Sequence, residues 1–220
     1  MSALAVASLA SCEKEESGLT GVTYYPVINV LGDAETVVYV GETYNDAGCE
    51  ATLNGEDITA QVQTSSNVNT SKMGIYSVAY SATNELGFSS YASRTVYVVN
   101  ESSFENLYYG TISMMGKLYS GATIVVTEVD DNVYMIDDGL AGYYFYGRYP
   151  GYEPNYDFHA EVYVTLNGSD IAQVGETGSW YFGDPVEISG GTYDSGSGVI
   201  SYTGEFAGYP FSVELNPITK

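Results

Sequence analysis

The pattern of hydrophobic and polar positions predicts β-strands along almost the whole chain. Residues 36–40 and 95–99 are continuous runs of β-branched and aromatic residues, and residues 76–81 alternate between larger apolar and small side chains. Such runs and such period-two alternation are typical of buried and half-buried strands. No window of about a dozen residues keeps an apolar stripe at the helical period, because glycines and β-rich runs interrupt it. The chain is therefore predicted to be all-β.

The predicted strands fall into two blocks. In the first block, short strands are separated by turns rich in glycine, asparagine and aspartate, at 31–33, 54–57 and 84–87. About seven such strands between residues 20 and 100 are what a β-sandwich requires. A short polar segment, 100–103, then predicts a boundary between closely spaced domains. The predicted divisions are an N-terminal segment 1–18, a first domain 19–100 and a second domain 101–220.

The second block predicts a separate antiparallel β domain. Its predicted strands are 109–114, 122–128, 133–136, 143–146, 158–166, 186–193, 199–206 and 211–215. Hairpin turns are indicated at 130–132, by two aspartates and an asparagine, and at 194–198, by a run of glycine and serine. Strands connected in this up-and-down manner form either an antiparallel β-sandwich or a small barrel.

Charge excludes two kinds of partner. The chain has 6 Lys and Arg against 28 Asp and Glu, a formal net charge of −22. Nucleic acids and anionic membrane surfaces are bound through clustered basic residues, so neither is an expected partner. One histidine and two cysteines are too few for a Cys/His zinc cluster. We expect no cofactor and no metal.

The N-terminal segment resembles the signal of a bacterial lipoprotein. Residues 1–11 are small or apolar and uncharged, and Leu9-Ala10-Ser11-Cys12 is similar to a lipobox. This resemblance implies that Cys12 is lipid-modified and that the lipid supplies the membrane affinity. An ordinary signal peptide with a chance cysteine is the alternative. The acidic stretch 13–16 resembles the surface-export signal of Bacteroidetes lipoproteins, which implies a lipid-anchored protein on the outer membrane, at the cell surface.

Both blocks resemble domains of Bacteroidetes surface lipoproteins. The first block resembles a bacterial Ig-like domain, and the similarity lies in residues 41–48, 54–59, 69–76, 79–87 and 94–96. The second block resembles the β-rich domain of unknown function that accompanies it, through residues 138–152, 191–202 and 211–215. The resemblance implies an Ig-like stalk that carries a working C-terminal domain. It implies no catalytic residues.

A cluster of tyrosines is the sharpest candidate site. Six aromatic residues lie in 143–152, interrupted by glycine and proline. Aromatic faces bind sugar rings, and phenol hydroxyls exchange hydrogen bonds with sugar hydroxyls. The candidate ligand-binding residues are Tyr146, Arg148, Tyr149, Tyr152 and Trp180. Two alternatives remain open: alternate aromatics of a strand over 143–146 would face a core, and Arg148 would stack on tyrosine or pair with an acid.

Other chemistries have little support in the sequence. Four aspartates at 130, 131, 137 and 138 offer oxygen ligands for calcium, but their spacing does not match an EF-hand loop. His159 is the one histidine, and no nucleophile motif accompanies it. Cys49 has no basic neighbour in the sequence to activate it, so a buried or half-buried structural thiol is expected. We expect no catalytic residues and therefore no enzyme.

These observations lead to two expectations for function. The first is a glycan-binding or accessory module of an outer-membrane polysaccharide uptake system, with a polysaccharide or oligosaccharide as ligand. The second is a structural or adhesion protein that contacts neighbouring outer-membrane proteins and has no small ligand. The direction in which residues 143–152 point would distinguish them.

Overall fold

The chain folds into two β domains in series. The computed structural model describes residues 22–152, 155–178 and 180–220. The predicted lipidation site Cys12 and the acidic stretch lie outside the described residues. Seven strands form the first domain and eight form the second, which confirms the all-β prediction. No helix in the described ranges is long and apolar enough to cross a bilayer.

The first domain is a sandwich of two sheets. Its strands are β1 Val27–Val30, β2 Glu35–Tyr39, β3 Cys49–Leu53, β4 Glu56–Asp57, β5 Gln63–Ser66, β6 Gly74–Thr83 and β7 Ser89–Val99. A 3-10 turn spans Thr59–Gln61. One sheet has the order β1-β3-β4 and the other β2-β7-β6-β5, with β2 parallel to β7. Alternating positions of both sheets face a common core, as the period-two pattern predicts.

A buried arginine of this sandwich forms an ion pair with a more exposed aspartate. Arg94 on β7 is buried, and its guanidinium lies 3.0 Å from a carboxylate oxygen of Asp46. The same guanidinium donates to the carbonyl of Leu31. Burial acts to raise the pKa of Asp46, but hydrogen bonds donated by Tyr80 and Tyr44 outweigh it and hold that pKa below its ordinary value. The segment 41–48 is therefore joined to β7 by the ion pair between Asp46 and Arg94.

The second domain is a closed eight-stranded barrel. Its strands are β8 Asn106–Met114, β9 Lys117–Asp130, β10 Val133–Ile136, β11 Val162–Asn167, β12 Asp170–Gln173, β13 Val186–Asp194, β14 Val199–Phe206 and β15 Tyr209–Pro217. Each strand pairs antiparallel with the next, and β15 pairs with β8 to close the sheet. Of the two predicted architectures, the barrel is the one observed. Closure leaves the sheet without edges.

Side chains fill the barrel. Alternate residues of every strand point inward, and the largest group of fully buried side chains in the described chain lies there. Its members include Tyr108, Ile112, Met114, Ile124, Val126, Ile136, Val162, Val164, Ile200, Tyr202, Val213 and Leu215. Gly110 is needed on β8 because a β-carbon there would lie 3.0 Å from side chains of Ile124 and Ala141.

One predicted strand is a helix instead. The prediction of a strand over 143–146 is wrong: Tyr143–Arg148 is a short π-helix. Its hydrogen bonds span five residues, from Gly147 N–H to Gly142 O at 3.2 Å and from Tyr149 N–H to Tyr144 O at 2.9 Å. The strand predicted from residue 158 begins only at β11, and β12 was not predicted.

The two domains pack directly against each other. In the connecting segment, the Asn100 backbone N–H donates to the side-chain oxygen of Asn106 at 3.0 Å, and the Asn106 side-chain amide donates to the Asn100 carbonyl at 2.9 Å. Tyr109 of the barrel donates to Glu35 of the sandwich at 3.3 Å. Lys220 pairs with Glu42. A buried apolar group from both domains lies between these contacts: Tyr97, Val99, Leu107 and Ile218.

Candidate functional site

The end of the barrel that faces away from the first domain is built by two long loops. β8 begins at the domain junction, so in an up-and-down barrel β8, β10, β12 and β14 run away from it. The connections that follow these strands therefore lie at the far end, which we call the distal end. Two of them are long: 137–161 between β10 and β11, and 174–185 between β12 and β13.

A buried aspartate anchors the first of these loops. Asp138 is 1% exposed and accepts hydrogen bonds from the N–H groups of Leu140 at 3.0 Å and Gly142 at 2.7 Å. Burial raises the pKa of this carboxyl. The hydroxyl of Tyr202, inside the barrel, donates to the Gly139 carbonyl at 3.0 Å. The segment 138–142 thereby closes the distal end of the barrel core.

Aromatic rings from both loops pack onto this closure. Tyr144 of the π-helix is buried, and its ring contacts those of Trp180 and Phe182 at centroid distances of 5.9 and 4.8 Å. Phe206 at the end of β14 completes the group, 5.6 Å from Tyr144. The indole N–H of Trp180 donates to the Asp184 carbonyl at 2.8 Å. These rings bind the second loop to the first.

Above this packed layer lies an open pocket, and each described residue that lines it is aromatic. We call it the tyrosine cup; its volume is 260 Å³ and its walls are Tyr149, Tyr152, Tyr156, Phe158, Tyr181 and Phe182. Tyr152, Tyr156 and Tyr181 form the rim and are 53%, 41% and 54% exposed. Phe158 is buried at the base. Exposed aromatic side chains gathered in one concavity are a recognised feature of binding sites.

The rings of the cup have a regular arrangement. Tyr149, Tyr156 and Phe182 are inclined by 26–30° to the plane of Phe158, with centroids 5.4–6.0 Å away. Tyr181 stands across this set, at 73° to Phe158 and 78° to Tyr156. Tyr152 is tilted by 41° to Tyr156, so the cup combines several inclined rings with one perpendicular wall.

The structure separates the residues that the sequence singled out. Tyr149 and Tyr152 line the cup. Trp180 is 7% exposed and lies behind the cup, where it supports Phe182. Tyr146 is exposed outside the cup, against Phe145. The guanidinium of Arg148 lies 5.9 Å from the ring centre of Tyr149, as the stacking alternative predicts, and does not line the cup.

Four residues of the cup were not predicted: Tyr156, Phe158, Tyr181 and Phe182. A signal for them exists in the sequence, because Tyr156 and Phe158 are spaced by one residue and Tyr181-Phe182 directly follows Trp180. The sequence does not show that the two loops come together in space. That meeting depends on the neighbouring positions of β10–β11 and β12–β13 at one end of the barrel.

The candidate acid and metal residues have other positions. Asp137 is half-buried and accepts the Val125 N–H at 2.9 Å, and burial raises its pKa to about 6. Within 22–152, 155–178 and 180–220 there is no group of three or more histidine, cysteine, aspartate or glutamate side chains suited to a metal ion. His159 pairs at 2.9 Å with Asp157, beside the ring of Phe145. Cys49 is half-buried, and burial raises the pKa of its thiol.

A second concavity of 380 Å³ lies on the barrel wall. Hydroxyl side chains predominate there, and Ser113, Ser212 and Thr203 are direct neighbours across β8, β15 and β14. Leu118, opposite Ser113 on β9, forms its border. It lacks the exposed aromatic rings of the cup.

Comparisons with known proteins agree with this two-domain description. A family model for the Ig-like domain of bacterial surface proteins matches residues 28–98, and a model for the BT2262-like C-terminal domain matches residues 96–217. The crystal structure of the lipoprotein BT2262 from Bacteroides thetaiotaomicron is similar, with a TM-score of 0.61 and 27% identity. The alignment covers 87% of this chain and 100% of that one. No curated protein matches the sequence significantly.

Two structures of Clostridium perfringens ZmpB show a weaker similarity. One contains the M60 catalytic domain with the CBM51-1 and CBM51-2 domains; its TM-score is 0.29 at 20% identity, over 82% of this chain and 14% of that one. The other contains CBM51-2 in complex with GlcNAc and INT domains; its TM-score is 0.29 at 15% identity, over 87% and 43%. TM-scores this low carry no argument about fold or ligand.

The fold and the family matches together define a class of protein: a bacterial surface protein in which an Ig-like domain is followed by an eight-stranded barrel. Within that class, the chain belongs to the BT2262-like family, whose model covers more than half of its length.

Proposed function

We propose that the protein is a lipid-anchored surface protein whose barrel domain binds glycans at the tyrosine cup. The observation that carries the proposal is the cup itself, six aromatic residues from two loops around one open pocket. Sugar rings have apolar C–H faces that pack on aromatic rings, and their hydroxyls exchange hydrogen bonds with phenols. Tyrosine also loses little conformational entropy on binding.

The position of the cup supports a role in capture. It lies at the end of the barrel opposite the Ig-like domain, and the two domains are packed together at their junction. If Cys12 carries a lipid, the Ig-like domain is the spacer and the cup is directed away from the membrane. The similarity to BT2262, which is a lipoprotein, supports the part of the proposal that concerns the lipid anchor. For the present protein we propose a role as partner of an outer-membrane polysaccharide uptake system.

We propose binding without catalysis. Glycoside hydrolysis uses two carboxylates on either side of the scissile bond, whereas each described residue that lines the cup is aromatic. The half-buried Asp137 and the buried Asp138 are engaged with backbone N–H groups beneath the loops. These features favour a site that holds a sugar rather than one that cleaves it.

Affinity electrophoresis in gels that contain soluble polysaccharides tests the proposal. The native protein should be retarded by at least one glycan. Tyr152→Ala and Tyr181→Ala should each weaken the affinity by about fivefold or more, as expected for a ring contact of roughly 1 kcal/mol. Tyr91→Ala, which removes an exposed tyrosine of the Ig-like domain, is the matched control and should leave retardation unchanged.

Two results would contradict the proposal. The first is a native protein that no glycan of a broad panel retards. The second is retardation that persists in the double variant of Tyr152 and Tyr181. Burial of the cup against a neighbouring outer-membrane protein in a purified complex would instead favour the structural or adhesion role.

A further inference from the structure

We propose that the tyrosine cup accepts one uncharged pyranose ring at a time and discriminates against acidic glycans. This inference rests on the proposed glycan binding and specifies its ligand class. Three features of the distal end support it: the spacing of the rings, the chemistry of the lining, and the charge of the two loops.

The spacing of the rings determines how a sugar can enter. Neighbouring centroids on the rim are 6.1 Å apart for Tyr152 and Tyr156, and 5.0 Å apart for Tyr156 and Tyr181. A sugar held between two parallel rings would need roughly 7–8 Å, twice the ~3.5–4.0 Å contact distance of carbon atoms. A sugar therefore cannot enter between neighbouring rim rings and must pack against the ring faces that line the cup.

The volume of the cup limits the ligand to one ring. Pockets that enclose a drug-sized ligand measure about 300–1,000 Å³, and the cup measures 260 Å³. A single sugar ring fits such a space, and the remainder of an oligosaccharide must extend over the loops. We therefore expect most of the binding energy to come from one sugar unit.

Among the described residues, the lining offers no cationic partner for a carboxylate or sulfate. Ring faces carry partial negative charge, which attracts C–H groups and cations but not anions. Tyrosine hydroxyls in the cup can donate to sugar hydroxyls and accept from them. An acidic group on the bound sugar would lose its hydration without gaining a charged hydrogen-bond partner.

The charges around the cup act in the same direction. Apart from Asp137 and Asp138, which lie beneath the loops, the loop 137–161 contains three acidic residues and one basic residue, Arg148, and the loop 174–185 contains two acidic residues and no basic one. The whole chain carries −22. A surface of one sign lowers the local concentration of like-charged ligands.

Arg148 is the one basic residue of the two loops that build the cup, so it is the cation that could reverse this selectivity. Its guanidinium lies over the ring of Tyr149, outside the lining of the cup. The other arginine of the described chain, Arg94, is buried in the Ig-like domain and pairs with Asp46, and Lys220 pairs with Glu42 at the junction. Arg148 therefore belongs in the test as a variant of its own.

The test compares a neutral polysaccharide that retards the protein with the same polysaccharide oxidised at C6 to its uronate. The native protein should bind the oxidised form at least about tenfold more weakly, and added salt should narrow this difference because it screens the repulsion. Arg148→Gln should retain binding of the neutral form. Chondroitin sulfate and polygalacturonate, included in the same panel, should not retard the protein.

The outcomes distinguish this inference from the proposed function. Equal or tighter binding of the oxidised form, lost in Tyr152→Ala, would overturn the selectivity while leaving glycan binding intact. If Arg148→Gln also abolished that binding, the arginine would be the recognition group for the acid. Absence of retardation by every neutral and acidic glycan would overturn both proposals.

Discussion

Replacing Asp137 by asparagine should stabilise the barrel at pH values where the Asp137 carboxyl is ionised. Asp137 lies at the start of the first long loop, and burial raises its pKa from the ordinary 3.8 to about 6. The nearby carboxylate of Asp138 adds to the rise, while the Val125 N–H and His159 oppose it. Asparagine has nearly the same shape and keeps an oxygen that can accept the Val125 N–H.

The pKa difference gives the magnitude and the sign. Above pH 6 the carboxyl is ionised in the folded and unfolded states, and the folded state is then destabilised by about 3 kcal/mol, since one pKa unit corresponds to about 1.4 kcal/mol. Below pH 3.8 the group is protonated in both states and this cost disappears. The contribution of Asp137 to stability therefore falls as the pH rises from 3.8 to 6.

Urea unfolding followed by the fluorescence of Trp180 is a suitable assay. This residue is the one tryptophan of the chain and is buried in the barrel domain. We compare the free energy of unfolding of Asp137→Asn with that of the native protein at two pH values. The advantage of the variant should be about 3 kcal/mol larger at pH 7.5 than at pH 3.5. Asp131→Asn, at an exposed hairpin, is the control. A difference between variant and native protein that is the same at both pH values would refute the reasoning.

Two further predictions concern one residue in each domain. Gly142→Ala should lower the free energy of unfolding of the barrel by about 3 kcal/mol or more, because φ is +80° and the new β-carbon would lie 2.4 Å from a side chain of β9. Gly151→Ala, with φ of +82° and open space, should cost only about 1–2 kcal/mol, and equal losses in thermal unfolding would contradict the packing argument. Arg94→Ala should destabilise the Ig-like domain by about 2–3 kcal/mol, because it removes the hydrogen bonds that the buried guanidinium donates to Asp46 and to the Leu31 carbonyl. Calorimetry should show a lower unfolding temperature for Arg94→Ala and no comparable decrease for Lys72→Ala, which changes an exposed lysine. Equal unfolding temperatures for the two variants would contradict the prediction.

The strands could be predicted because their signal is local. Alternation at 76–81 and the β-branched run at 95–99 record which side of a sheet each residue faces, and β6 and β7 occupy these positions. Barrel closure is different. It depends on pairing between β15 and β8, about a hundred residues apart along the chain. No local pattern distinguishes that pairing from the two separate sheets of a sandwich.

The π-helix could not be predicted from the aromatic run that forms it. Tyrosine and phenylalanine favour strands, but left-handed backbone at Ala141 and Gly142 turns the chain just before the run. Tyr143 and Tyr144 are then buried side by side, which a half-buried strand does not allow. Tertiary packing over the closed barrel end outweighs the local preference. Tyr149 and Tyr152 belong to the dense aromatic run, so they could be identified from the sequence. Tyr181 lies in the other loop, and its place in the cup depends on the fold.

The arrangement of the barrel also has a consequence for how such proteins diversify. The junction end holds the contacts with the Ig-like domain, and the cup is made by internal loops at the other end. Strand register is set by the barrel wall and by the anchor at 138–142, so the exposed rim residues Tyr152, Tyr156 and Tyr181 can vary without changing either, whereas the buried Phe158 and Trp180 cannot. If the cup binds glycans as proposed, we expect relatives with this barrel to differ in ligand through substitutions at the rim, and exchanging rim residues between family members would alter specificity.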